Sequence, residues 1–328
     1  MDITKRLPYI DQLKGLAILL VVIGHVYNFN IPNPNEHFLF RMIYSFHLPL
    51  FFIASGFVGK IISDKSLEFL QKKFRSLMIP YIVVSSLYIL VISDYRYLFS
   101  LNMRSPFWFL LNLFIFNTLV IFISVAHNWF MKHISLYQTN QKFMLALLCF
   151  LSIPMLCIIV RNSTWNPFGM MALYYPYYLI GYVIKLNYYK ILQYKIYITP
   201  ICILTYSCIL GGINISEQTI NNYLMGICMS LILLIFFFQL NEEYTNNRIL
   251  NRLDYIGKRF LSIYIFHYFF LLKMPVLNNQ YFTCNNFTFN FFLSFAIAVA
   301  VISMVMVVDK FIKSNSILSF VIYGQSHK

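Results

Sequence analysis

Charge is scarce in this sequence. Only 11% of its 328 residues are Asp, Glu, Lys or Arg, where soluble globular chains carry about 25%. A chain of this length needs far more charge to face water, so a soluble one- or two-domain protein is excluded. Glycine is scarce, at 11 residues, and no glycine-rich phosphate loop occurs. The 6 cysteines form no CxxC pair and no metal-ligand spacing. Cys149, Cys157, Cys202, Cys208 and Cys228 lie inside apolar runs and Cys284 stands alone. A disulfide framework is therefore not expected, and neither is a metal site.

What the chain has is apolar surface. Hydrophobic residues make up 59% and the mean hydropathy is +0.67. Ten apolar segments run roughly over 11–29, 39–60, 77–93, 107–126, 143–161, 168–186, 196–213, 221–240, 260–275 and 289–309. At about 20 residues per crossing they use roughly 200 residues, which leaves short loops. The expected fold is all-α: a polytopic membrane bundle of about ten transmembrane helices, forming one domain over 1–328. Lys5 and Arg6 precede the first apolar run as in a signal peptide, but Asp11, Lys14 and the lack of a small-residue cleavage site favour a retained span. Abundant Asn, Ile, Phe, Tyr and Lys point to an AT-rich, bacterial source, and hence to the inner (cytoplasmic) membrane.

The net charge of +14 does not mark a nucleic-acid binder, because the basic residues sit in short clusters between apolar runs. Of the 25 basic residues, only Arg41, Arg96, Arg104, Arg161 and Lys273 fall on the outer side when the N-terminus is placed inside. Lys14 lies within the first span. The positive-inside rule then puts both termini in the cytoplasm. Asn-x-Ser/Thr triplets at Asn162, Asn214 and Asn286 fall on outer loops, at the frequency an Asn-rich chain produces by chance.

Charged and imidazole groups within a span are costly and are functional candidates by default. Lys14 and His25 are eleven residues apart in the first span. That spacing puts them on one helix face, about 16 Å apart along the axis. Lys14 falls near the inner surface, where snorkelling alone would account for it, and His25 falls in the outer part of the bilayer. His47 opens the second span at a similar depth, two residues before Pro49. The basic stretch Lys72-Lys73-Phe74-Arg75 reads as an inner loop, and His267 lies about 12 Å into the ninth span.

Together these segments resemble one family. Asp11-x-x-Lys14-Gly-x-Ala with His25, Phe46-His47-x-Pro49-x-Phe51-Phe52 with Ser55-Gly56-Phe57, Lys72-x-x-Arg75 with Pro80-Tyr81, Phe107-Trp108-Phe109-Leu110, and Gly257 through Ser262, Tyr264 and His267 follow the order of the acyltransferase-3 membrane acyltransferases. The resemblance implies a multi-pass enzyme that moves acyl groups, usually acetyl from acetyl-CoA, onto surface glycans or related acceptors. Two positions depart from the pattern: Lys14 and Lys72 stand where Arg is commoner. Lys is a point charge without the bidentate fork of Arg. No appended esterase-like domain is expected after the tenth span.

On that resemblance His25 is the expected base for the acceptor hydroxyl, since imidazole titrates near the working pH. Lys14, Lys72, Lys73 and Arg75 are expected to hold the phosphates of acetyl-CoA at the inner mouth. His47 and Tyr264 are both candidates to donate to the oxyanion or to orient His25, and His267 joins them as a catalytic candidate. The expected partners are the lipid bilayer and a glycan or lipid-linked sugar acceptor, with no nucleic acid. The competing reading is a transporter or flippase for a glycan-related substrate, although the half-to-half symmetry common in transporters is not evident.

Overall fold

The computed structural model describes residues 7–31, 34–59, 66–92, 106–133, 150–153, 167–212, 218–244, 247–273 and 287–324. Among these residues every regular element is helical. The helices are α1 (Pro8–Asn30), α2 (Phe38–Phe57), α3 (Ser66–Lys73), α4 (Ile79–Ile92), α5 (Trp108–His133), α6 (Pro167–Leu186), α7 (Tyr188–Gln193), α8 (Lys195–Leu210), α9 (Gln218–Glu243), α10 (Arg248–Lys258), α11 (Phe260–Lys273), α12 (Phe287–Ser314) and α13 (Ser316–Tyr323). A π-helical turn, Phe74–Met78, joins α3 to α4.

Among the described residues six helices are long and apolar enough to cross a membrane: Pro8–Asn30, Phe38–Phe57, Ser66–Val91, Trp108–Trp129, Ile220–Glu243 and Thr288–Ser314. Lys195–Leu210 and Phe260–Leu272 are shorter apolar helices at the expected seventh and ninth spans. The expected sixth span coincides with α6. Of the fifth, 143–161, all but 150–153 lies outside the described residues, as do Cys149, Cys157, Cys284 and the triplets at Asn162, Asn214 and Asn286.

The stretch read as a basic inner loop is helical. Lys72 and Lys73 close α3 and Arg75 lies in the π turn, so the third apolar run begins as early as Ser66. The sequence supports this: Phe69, Leu70 and Leu77 turn inward while Lys72 and Arg75 remain exposed. A π turn inserts an extra residue per hydrogen-bonded ring, and such turns are frequent at functional sites.

The chain divides into two compact units. The first comprises Met1–Ala54 and Tyr188–Asp309. In it α1 packs along α10, with α9 and α11 also against it, and α8 packs on α9. Pro8 starts α1, where a missing N–H costs nothing. Asn247 caps α10, its side-chain oxygen accepting from the backbone N–H of Ile249 at 2.8 Å. The α1–α10 contact is backbone on backbone. A Cβ at Gly15 would strike the Leu253 carbonyl, and one at Gly257 would strike the Asp11 carbonyl. Only glycine permits that approach. One turn away, Gln12 and Asn241 exchange amide hydrogen bonds of 3.0 and 2.6 Å between α1 and α9.

The second unit comprises Ser55–Asn187 and Lys310–Lys328. Its α5 packs against α3, the π turn, α4 and α6, while α13 lies on α4 and the π turn. Aromatic rings fill these contacts: Trp108 stacks on Tyr174 at 5.3 Å, and Phe74 meets Phe114 edge-on at 5.8 Å. Gly324 ends α13 in the left-handed conformation, with φ of 64°. Its α-carbon faces the Arg75 backbone, so an added Cβ would strike the Arg75 carbonyl.

Candidate active site

The histidines of the first, second and ninth apolar runs all belong to the first unit, and two of them meet. The rings of His25 on α1 and His267 on α11 lie 5.2 Å apart between centroids, inclined by 37°. Tyr268 stands edge-on to His25 at 5.7 Å. The Tyr264 ring lies 6.1 Å from that of His267.

The hydrogen bonds fix the chemistry of the rings. His267 Nδ1 lies 2.8 Å from the Ile263 carbonyl, one turn back on its own helix. A carbonyl only accepts, so Nδ1 carries the proton and Nε2 of the neutral ring keeps its lone pair. That Nε2 is buried and has no hydrogen-bond partner. His47 repeats the pattern, its Nδ1 donating to the Ile43 carbonyl at 2.7 Å. The Tyr44 ring sits edge-on to His47 at 4.7 Å. A Cβ at Gly24 would come within 2.8 Å of that same Tyr44 ring, which ties the His47 region of α2 to the His25 turn of α1.

His25 differs from the other two. His47 and His267 are fully buried, whereas His25 is partly exposed. Its Nδ1 is buried without a hydrogen-bond partner. An imidazole that is reachable yet uncommitted to the backbone is free to exchange a proton with a bound group.

The cations are placed as follows. Lys14 Nζ lies over the Phe260 ring at 5.6 Å. Lys14 and Phe260 thus pair at one end of the α1–α11 contact and His25 and His267 at the other, so the two helices run parallel. Lys72, Lys73 and Arg75 belong to the second unit. Lys73 Nζ lies over Phe69 at 5.2 Å, and Lys72 and Arg75 are exposed.

Some buried polar residues were not singled out by the sequence. Asn112 and His127 on α5 are fully buried, and neither side chain has a hydrogen-bond partner. Buried groups of this kind usually have partners. Asn112 sits singly among apolar residues and His127 beside Asn128, signals that mark a polar position without naming its use. Asp309, at the C-terminal end of the last expected span, is also buried. Among the described residues no group of three His, Cys, Asp or Glu side chains is placed to hold a metal ion.

A family model described as an acyltransferase domain matches residues 7–308. The chain belongs to the acyltransferase-3 family. His25, His47, His127, His267, Lys14, Lys72, Lys73 and Arg75 all lie within the matched segment. The acyltransferase-3 chain is also similar to two nodulation proteins. NolL of Sinorhizobium fredii is 34% identical over 76 residues, 21% of this chain and 21% of NolL. NolL of Mesorhizobium japonicum is 33% identical over 76 residues, 21% of this chain and 20% of its own length. The similarity therefore spans about a fifth of these curated relatives. No solved structure matches the acyltransferase-3 chain.

Proposed function

We propose that this acyltransferase-3 chain is a membrane O-acyltransferase that moves acetyl from cytoplasmic acetyl-CoA to a hydroxyl of a cell-surface glycan or its lipid-linked precursor. The observation that carries the reading is His25: a partly exposed imidazole facing His267, on the same helix as Lys14, in a chain of an acyltransferase family. Family membership weighs against the transporter reading. The site of action is the bacterial inner membrane, with ten spans and both termini cytoplasmic, as the basic-residue asymmetry suggests.

In this reading the acceptor oxygen attacks the thioester carbonyl carbon. The C–O bond forms and the C–S bond breaks. His25 takes the hydroxyl proton and returns it to the departing CoA sulfur, so the products are an ester and free CoA. His267, with an available Nε2, accepts a hydrogen bond from the protonated His25 and stabilises it. Tyr264 and His47 are the candidates to steady the oxyanion. Lys14, Lys72, Lys73 and Arg75 supply positive charge for the donor phosphates.

The test is donor binding and transfer by the purified protein. Lys14→Ala and Arg75→Ala are each expected to weaken acetyl-CoA binding while the protein stays folded and inserted. Lys190→Ala, at an exposed position of α7, is expected to leave it unchanged. Unchanged binding in both variants, or no transfer of radiolabelled acetyl to any glycan fraction by the wild type, would overturn the proposal. Mass and NMR comparison of the glycan from cells with and without the protein identifies the acceptor.

A further inference from the structure

Arg259, between α10 and α11, is one of the cations that orientation in the membrane would explain without further role. Its surroundings ask for more. The guanidinium lies over the Tyr255 ring, with Cζ 3.7 Å from the centroid. Nη1 donates to the Tyr255 carbonyl at 3.4 Å. Nε pairs with Oδ2 of Asp309 at 3.4 Å, and that carboxylate is only 2% exposed. The other carboxylate oxygen, Oδ1, accepts the Ser262 hydroxyl at 2.5 Å.

A cation that only sets topology needs no buried counter-ion; Lys190 stands exposed on α7. Burying a carboxylate is unfavourable unless it is paired, and a well-packed apolar residue often does as well for stability. What the carboxylate adds is direction. Asp309, fixed by Ser262, holds the guanidinium at Nε, and Tyr255 holds its plane. The side chain of Arg259 is still 29% exposed, and Nη2 takes no partner among the described residues. Lys14 reaches over Phe260, the residue that follows Arg259. Arg259 thus stands at the start of α11, the end of the α1–α11 pair remote from His25 and His267.

This arrangement suits a phosphate. A clamped arginine brings a planar cation held in one orientation, with Nη2 still able to donate. Resting on the acyl-CoA reading above, we infer that Arg259, clamped by Asp309 and Tyr255 at the start of α11, binds a phosphate of the acyl-CoA donor, and that Asp309 is a positioning residue for it. The phosphate of an anionic lipid headgroup offers the same chemistry, and the experiment separates the two sources.

Full-length wild type, R259Q, R259K and D309N are purified into nanodiscs of phosphatidylcholine alone. The Kd for acetyl-CoA is measured, with kcat/KM for acetyl-CoA and for acetyl-pantetheine, which lacks every phosphate. R259Q is expected to weaken acetyl-CoA binding roughly tenfold or more, the scale of a charge-assisted hydrogen bond. R259K recovers part of the loss. D309N weakens binding by a smaller factor and keeps kcat at saturating donor. For acetyl-pantetheine, R259Q and wild type are expected to have equal kcat/KM.

Wild-type affinity in R259Q overturns the inference, as does an equal loss for both donors. A loss that appears only when phosphatidylglycerol is added assigns Arg259 to lipid and overturns it too. A purely structural role would lower the yield and melting temperature of R259Q and D309N with Kd unmoved. Wild type that binds no acetyl-CoA refutes the acyl-CoA reading itself, whereas binding that R259Q leaves intact refutes only the role of Arg259.

Discussion

His25 and His267 face one another with ring centroids 5.2 Å apart, and Nδ1 of the first and Nε2 of the second are both buried without hydrogen-bond partners. Such a pair has room for one shared proton and an obvious moment to use it, when a bound hydroxyl gives its proton up.

For His25 the expected outcome is a loss of turnover with donor binding kept. Removing a general base costs about 10²–10⁴-fold in rate. His25→Ala should fall by that much. His25→Gln should be nearly as inactive, because an amide keeps the bulk and cannot take the proton. Transfer assays beside protein levels in the membrane check this, and an active, normally abundant His25→Gln would rule out the base role.

His267→Asn separates the two nitrogens of that ring. Its amide N–H stands where Nδ1 was and can still donate to the Ile263 carbonyl, while the Nε2 lone pair is gone. Turnover is expected to drop by about tenfold or more, the scale of a lost charge-assisted hydrogen bond, with abundance and acetyl-CoA binding unchanged. Normal turnover in this variant would confine His267 to packing.

Much of this was legible before the structure. The first two spans matched to within a few residues, since α1 runs from Pro8 to Asn30 and α2 from Phe38 to Phe57. The histidines announced themselves by standing in apolar runs. Their pairing did not, because helix periodicity places residues on a face and says nothing of which helix lies opposite. The stretch around Lys72 reads as a loop because charge clusters there, while its apolar positions keep the helical period that the structure shows. Asp309 sat at the edge of an apolar run, where a carboxylate normally reaches water, and only its contact with Ser262 and Arg259 makes it unusual.

Gly257→Leu should be among the most damaging substitutions in the first unit. A Cβ there would strike the Asp11 carbonyl on α1, and backbone cannot rotate away as a side chain does. Overpacking typically costs about 1–3 kcal/mol, and this contact lies at or above the upper end. The melting temperature of the purified protein and its yield in membranes should both fall. A variant with unchanged melting would show that α1 and α10 can separate without cost.

Gly324→Val tests the second unit. The residue has φ of 64° and touches the Arg75 backbone. The left-handed conformation alone costs a non-glycine residue about 1–2 kcal/mol, and a β-branched side chain adds the clash. Lower thermal stability is expected, together with weaker acetyl-CoA binding through displacement of Arg75. Stability and binding both at wild-type level would detach α13 from the π turn.

Reporter fusions and cysteine labelling test the membrane map. A reporter active only in the cytoplasm should work when fused after Lys328, and cysteines introduced at Arg41 or Arg161 should react with an impermeant reagent from outside. A C-terminal fusion that reports an external location would overturn the ten-span map.

The first helix leaves the ribosome about 240 residues before α10, the neighbour it packs along. At a synthesis rate of about 5–20 residues per second, the delay is roughly 12–50 s. Throughout it, Asp11 and Gln12, both buried in the finished protein, have neither Gly257 nor Asn241 to lie against. Biogenesis must therefore shelter a polar-studded helix at the bilayer until the last third of the chain arrives. Arrested nascent chains ending before Asn247 should crosslink from position 12 to an insertase or a membrane chaperone, and released full-length chains should not.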